Sequence, residues 1–267
     1  SLPVVGSLGK LKSLLQQMDE ANIYYAEDAV RSVAPSAGAF PSAGAVQQES
    51  KGANGSSQDY SQTNVQVQGV DEADIVKTDG KYIYQVNNGK VVISKAYPVS
   101  EMKVLKVIPF DQDNITPTQL YVDESFLVVV ATGSKTISDY PVKPAPGIEI
   151  YPPPYRSQQV VKAIVYDIRD KNNIKQVRSL ELTGDYLSSR KVGTALYLVV
   201  NKYIDRYRIM EQGRADLPVY WDSAAGSSPV EIGLDKIRYF PDCSTPNYML
   251  VAGLDLSQPA KKANVST

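Results

Sequence analysis

Apolar and polar positions follow two different rhythms along this chain. Residues 8–31 place Leu8, Leu11, Leu14, Leu15, Met18 and Ala21 close to a 3.6-residue repeat, with Ser7 positioned to cap the first turn, and predict one amphipathic helix. Its polar side mixes Lys with Asp and Glu, which suits packing on the outside of a domain better than lying on a membrane surface. From residue 64 onward the rhythm shortens. The alternation NVQVQ at 64–68 reads as one strand, and Asp79-Gly80 and Asn88-Gly89 are short turns that bracket another at 81–86. The runs at 126–130 and 195–200 are almost continuously apolar, the pattern of strands covered on both faces. Between the two rhythms, residues 35–63 are rich in Ser, Gly, Ala and Gln. They cannot bury enough surface to offset chain entropy and are expected to be a linker. The division is therefore a helical segment at 1–34, a linker at 35–63 and an all-β region at 64–267.

The all-β region repeats itself. The second half of NVQVQGVDEADIVKTDGKYIY (64–84) recurs in degenerate form as QLYVDESFLVVV (119–130) and RKVGTALYLVV (190–200). Repeated groups of short strands predict a β-propeller of four-stranded antiparallel blades. Blade one spans about 74–110, with strands at 74–78, 81–86, 90–96 and 103–110. Blade two spans about 119–184, with strands at 119–122, 126–131, 160–168 and 174–182. Blade three spans about 186–267, with strands at 186–190, 195–201, 248–256 and a last one near 262–267. VYDIRD (165–170) and GLDLSQP (253–259) place the third strands of the last two blades in register. Two insertions, 132–159 and 202–247, fall between second and third strands. Loops there share a face with the blade-to-blade connections, and that face is the expected interaction surface. About three blades do not close a ring. The expectation is a fragment of a larger ring, with NVQVQ pairing into the last blade of the complete propeller.

Composition narrows the chemistry. The 267 residues are 43% hydrophobic, enough for a substantial core, and their net charge of −1 gives no basic field, so nucleic acid is not an expected partner. Eighteen Tyr against four Phe and one Trp favour half-buried strand faces. There is no His, which removes the commonest general base and the commonest metal ligand together. Cys243 stands alone, without an internal disulfide partner or a His to activate it. No apolar run reaches the roughly 20 residues of a membrane-crossing helix, so no transmembrane segment is expected.

What remains is carboxylates, an arginine and aromatic groups. Asp71, Glu72, Asp74 and Asp79 are hard oxygen donors and candidate calcium ligands, although their spacing is not that of an EF-hand loop. Their alternative role is to cap turns and backbone amides at a blade boundary. The string DEAD at 71–74 lacks the phosphate-binding loop that a helicase needs. Arg190 either faces a central channel and binds an anion or pairs with a carboxylate. Tyr151 and Tyr155 end a proline-rich stretch that suits a stiff recognition arm. Tyr220 and Trp221, with Tyr203, Tyr207 and Tyr239, either contact a protein or sugar or form the small core of the second insertion. No catalytic residue is assigned, and calcium is the one cofactor with any candidate ligands.

The run VDEADIVKTDG, together with VVKAIVYDIRD at 160–170 and GDYLSSRKVGTALYLVVNKY at 184–203, resembles the bacterial and archaeal family of secreted proteins with a C-terminal β-propeller domain, which is distantly similar to WD-repeat propellers. The resemblance covers about 60–267. It implies a secreted or cell-surface protein with a longer ring than these residues form, and it brings no catalytic residues. The expected function is noncatalytic binding of a protein or polysaccharide through the face that bears the insertions. The alternatives are a propeller hydrolase or lyase using channel carboxylates or calcium, and an assembly module whose missing blades come from a partner chain.

Overall fold

The computed structural model describes residues 2–31, 70–111, 114–138, 155–226, 228–241, 243 and 245–267. In chain order the elements are α1 (Leu8–Arg31), β1 (Val70–Asp71), β2 (Val76–Thr78), β3 (Tyr82–Asn87), β4 (Lys90–Lys95), β5 (Lys103–Pro109), β6 (Ile115–Val122), β7 (Phe126–Ser138), β8 (Tyr155–Asp167) and β9 (Lys175–Thr183). They continue as β10 (Asp185–Val192), β11 (Ala195–Tyr203), α2 (Arg206–Met210), β12 (Val219–Asp222), β13 (Val230–Glu231), β14 (Asn247–Asp255) and β15 (Asn264–Ser266). Among the described residues the strands form three antiparallel sheets, ordered β2-β3-β4-β5, β6-β7-β8-β9-β12-β13 and β1-β10-β11-β14-β15. The linker expected at 35–63 and the strand expected at 64–68 lie outside the described residues.

Each sheet repeats one corner. At the end of the third strand of each repeat, an amide returns to the turn that joins the first two: Ala96 N to Lys81 O, Ile168 N to Ser125 O and Leu256 N to Thr194 O, each 2.8 Å. The turns themselves correspond. Asp79 Oδ1 accepts the amides of Lys81 and Tyr82 at 3.1 and 2.8 Å, and Asp123 Oδ1 accepts those of Ser125 and Phe126 at 2.9 and 2.8 Å. An acidic side chain satisfies amides that a tight turn leaves unpaired, which is why Asp recurs there.

The second sheet is buried on both faces. Leu127, Val129 and Ala131 of β7 pack with Tyr84, Val91 and Ile93 of the first sheet, whereas Val128 and Val130 pack with Leu196, Leu198 and Leu250 of the third. Successive strand residues point to opposite faces, so a continuous apolar run has a partner on each side. At about 1.5–3 kcal/mol for each fully buried aliphatic side chain, this sheet concentrates the stabilising surface. The run at 195–200 departs from the expectation of two covered faces. In β11, Leu196, Leu198 and Val200 are buried, but Tyr197 is 45% exposed on the other side, because no sheet stacks there among the described residues.

The insertions differ from simple loops. The described ends of the first insertion, 132–138 and 155–159, continue the ladder, since β7 and β8 stay paired from Phe126↔Asp167 out to Ser138↔Tyr155. The second insertion folds back beside the preceding sheet. Its strand β12 pairs with β9 (Tyr220↔Leu182, Trp221↔Glu181) and covers an edge that would otherwise present unpaired backbone groups. There Arg178 Nε and Nη2 donate to Asp222 at 3.2 and 2.8 Å, both side chains being 1% exposed. Asp222 also accepts the amides of Ala224 at 3.0 Å and Ala263 at 2.7 Å, so one carboxylate joins second sheet, insertion and third sheet.

Residues 2–31 complete this insertion. Val5 N donates to Ile237 O at 2.9 Å and Gly6 N to Leu234 O at 2.8 Å. Leu11 and Leu15 of α1 enter the same core cluster as Ile209, Ile232 and Ile237. Lys12 Nζ donates to Met210 O at 3.2 Å.

Arg178→Met is expected to destabilise the protein by about 3–5 kcal/mol, because it strands the buried Asp222 carboxylate. Arg178→Met with Asp222→Leu is expected to recover much of that loss. Urea unfolding midpoints of the three proteins test this, and equal midpoints for wild type and the single variant would contradict it.

Candidate functional site

The acidic segment crosses the inner edges of all three sheets. Val70 and Asp71 pair with Val192 and Lys191 of β10, Asp74 and Leu120 of β6 exchange backbone hydrogen bonds at 3.2 and 2.7 Å, and the chain then enters the first sheet as β2. Asp74 was expected inside the first strand of blade one. It forms an isolated bridge to the second sheet instead, and the strand begins at Val76, because the backbone must reach across before it turns into its own sheet.

Each of the four carboxylates considered for calcium has a local partner. Lys77 Nζ lies 2.8 Å from Asp71 Oδ1, Arg190 Nη2 lies 3.2 Å from Glu72 Oε1, and Asp74 Oδ1 accepts the Ile75 amide at 2.7 Å. Asp79, besides its two turn amides, accepts the Tyr84 hydroxyl at 2.9 Å. No group of three or more His, Cys, Asp or Glu side chains suited to a metal occurs among the described residues. Arg190, 46% exposed at its side chain, is held by Glu72 and also donates to Ser189 O at 2.7 Å. Lys191 pairs with Asp123 at 3.2 Å.

Beside these ion pairs runs a chain of neutral hydrogen bonds. Tyr121 Oη and Ser189 Oγ are 2.8 Å apart, Ser189 Oγ and Tyr186 Oη are 2.8 Å apart, and Tyr186 donates to Gln119 Oε1 at 2.8 Å. The network joins β6 to β10. Burial pushes the Tyr121 hydroxyl up to about 12.

At the opposite, turn-bearing side, Lys171 fastens the first sheet to the second. It donates to Ile168 O at 2.8 Å, lies 3.8 Å from Asp79 and sits over the rings of Tyr82 and Tyr84 at 5.3 and 5.8 Å. Desolvation there lowers the ammonium pKa from its ordinary value.

The insertion-bearing side holds a cavity of about 290 Å³, between the start of β8, the β9–β10 connection and the chain leaving β11. Its lining includes Gln158, Gln159, Asp185, Tyr203 and Asp205, with the Lys202–Asp216 pair beneath. Lys202 Nζ donates to Asp216 Oδ2 at 2.5 Å, and the Asp205 amide donates to the same oxygen at 3.0 Å. The ammonium also lies 5.6 Å from the centre of the Tyr248 ring. Gly184 closes one wall. Its φ is +124°, its amide donates to Gln159 O at 2.7 Å, and a Cβ there would come within 2.6 Å of Asn201 O.

A family described as the beta propeller domain matches residues 60–267. The chain belongs to this β-propeller family. Two archaeal relatives, both uncharacterized proteins, are each 28% identical to it: one from Methanocaldococcus jannaschii over 68% of this chain, one from Archaeoglobus fulgidus over 55%. The aligned parts are 21% and 20% of those proteins, so the propeller chain spans about a fifth of the length of the curated relatives it matches. No solved structure matches it.

Of the aromatic residues singled out in the propeller's insertions, Tyr220 packs onto the core and Trp221 is half-buried opposite Glu181. Tyr151 and the side chain of Tyr155 lie outside what is described. Among the described residues of the second insertion, the rings of Tyr203, Tyr207 and Phe240 face outward, 67%, 65% and 57% exposed. Sequence reading assigned no site role to Gln158, Asp185 or the Lys202–Asp216 pair. Lys202, just after the apolar run ALYLVV at 195–200, was the available signal, since a charge in a buried strand needs a partner.

The Tyr121 network carries a pH prediction. The ordinary value is 10 and the folded one about 12. The folded propeller therefore keeps a proton that the unfolded chain loses, and the contribution is complete below pH 10 and lost as pH rises through 12. Tyr121→Phe is expected to lose stability less steeply than wild type between pH 10 and 12, in urea unfolding at stepped pH. Parallel curves would contradict this.

Proposed function

We propose that this chain is a noncatalytic binding module, exported from the cell, that holds a protein or polysaccharide on the face bearing insertions 132–159 and 202–247. The observation that carries the reading is the construction of that face. The second insertion, braced by α1 and by the buried Arg178–Asp222 pair, walls a cavity of mixed lining and presents Tyr203 and Tyr207 to solvent. A rigidly supported surface with exposed aromatic rings loses little conformational entropy on binding. At the inner edges, by contrast, every candidate carboxylate is already paired, which favours a structural role there. Export rests on the family resemblance alone.

The test is retention of surface extracts of the source cells on immobilised chain. Tyr207→Asp, on the insertion face, is expected to lose retention, while Lys175→Glu, at the start of β9 on the turn-bearing side, is expected to keep it. Equal retention by both variants would contradict the reading.

A second reading, assembly with further blades, is favoured by two apolar sheet faces. On the first sheet Val76, Ile83, Val104 and Val107 are exposed at 41, 37, 60 and 44%, and on the third Leu187, Tyr197 and Met249 at 59, 45 and 45%. In this reading each of the three sheets is one blade, and the open faces belong against neighbouring blades, either in a longer chain such as the relatives have or in a partner. Sedimentation of this chain at rising concentration is expected to show self-association that Val104→Lys weakens. A monomer at every concentration would count against it.

A further inference from the structure

We propose that the open face of the third sheet receives the open face of the first sheet of a second copy of this chain, head to tail, so that two copies close one ring of six blades. This rests on the assembly reading above and names the partner which that reading leaves open. The corner hydrogen bonds end on Lys81 O, Ser125 O and Thr194 O, which makes Tyr84, Val128 and Tyr197, each three residues further on, equivalent positions. Their cross-strand partners agree. Tyr84 pairs with Ile93, Val128 with Val165 and Tyr197 with Gly253, each partner three residues before the corner's donor amide. Ile83, Leu127 and Leu196 are equivalent in the same way, one residue earlier and therefore on the opposite face.

Both internal contacts join one kind of face to the other. Tyr84 of the first sheet shares a core cluster with Leu127 of the second, and Val128 of the second shares one with Leu196 of the third. All four are completely buried. Tyr197 and Ile83 are the members of the two series left over, 45% and 37% exposed, and each lies on an apolar strip, beside Met249 and Val76 respectively. Each open face therefore lacks the kind of face that the other presents. Packing like on like would break the order that both internal contacts keep. A contact repeated head to tail turns the same way at every step and ends in a closed ring when the turns complete a circle. Propellers close with about four to eight blades. With three sheets in each copy, six is the multiple of three in that range, so the ring takes two copies. Closure also removes both apolar strips from water.

The test is sedimentation and native mass spectrometry of the whole chain, of Ile83→Lys, of Tyr197→Lys and of an equal mixture of the two variants. Wild type is expected to form a two-chain species and nothing larger. Each variant alone carries a lysine in both contacts of the ring, which is expected to weaken the pair about a hundredfold or more, because an unpaired ammonium is taken out of water. In the mixture one of the two contacts carries neither lysine, so a species with one copy of each variant is expected to return. Thermal unfolding of the dilute chains checks that the variants fold, and Ile83→Gln or Tyr197→Gln replaces a lysine that prevents folding. A two-chain species that only one variant dissociates, a mixture that recovers nothing, or an open series of larger species overturns the head-to-tail ring and leaves the assembly reading standing. Wild type that stays monomeric at every concentration overturns both.

Discussion

A twisted sheet has two faces, and this structure depends on the middle sheet having both of them covered. The covering works because the side chains of β7 alternate without interruption: Leu127, Val129 and Ala131 go one way, Val128 and Val130 the other. Remove either neighbour and half of that strand would face water. The flanking sheets are placed by this requirement, and their inner edges are brought close enough for one extended segment, 70–78, to touch all three. Polar chemistry at that seam follows from the geometry. Three strand edges meet there, and their charged side chains pair with one another beside the buried Tyr121–Ser189 hydrogen bond, which Tyr186 and Gln119 extend.

The same division separates what holds the fold from what faces outward. On the turn-bearing side the repeats end in near-identical corners, with Asp79 and Asp123 occupied by backbone amides. On the other side the chain departs from the repeat and builds a wall from α1, α2 and β12. The irregular half of the molecule carries exposed Tyr203 and Tyr207 and the cavity of about 290 Å³. A regular scaffold carrying irregular loops is the usual way in which propellers and other repeat folds acquire a binding surface.

Much of the scaffold was legible because it is local. Hairpins announced by Asp79-Gly80 and Asn88-Gly89, and third strands matched through VYDIRD and GLDLSQP, depend on residues a few positions apart, and the strands stand where that spacing puts them. The family resemblance reached the same fold, which the match over 60–267 supports. What was not legible is long-range. Nothing near Trp221 in sequence says that it will lie opposite Glu181, and nothing near Asp74 says that it will bridge to Leu120. The cavity is harder still, since it gathers Gln158, Asp185, Tyr203 and Asp216 from four separate stretches. The aromatic residues show the limit plainly. Composition marks Tyr220 and Tyr203 alike, and only the fold sends one into the core and the other into solvent.

The Arg178–Asp222 pair has a consequence for what would follow if one of these sheets were duplicated alone. Its arginine belongs to the second sheet, its carboxylate to an insertion in the third, and the same carboxylate holds the Ala263 amide ahead of the last strand. A duplication that copied the second sheet alone would inherit a buried guanidinium with no counterion, and one that copied the third alone would inherit the orphaned acid. Either copy would begin life unstable. The latch therefore makes the second and third sheets one unit, because either without the other would keep half of a buried ion pair.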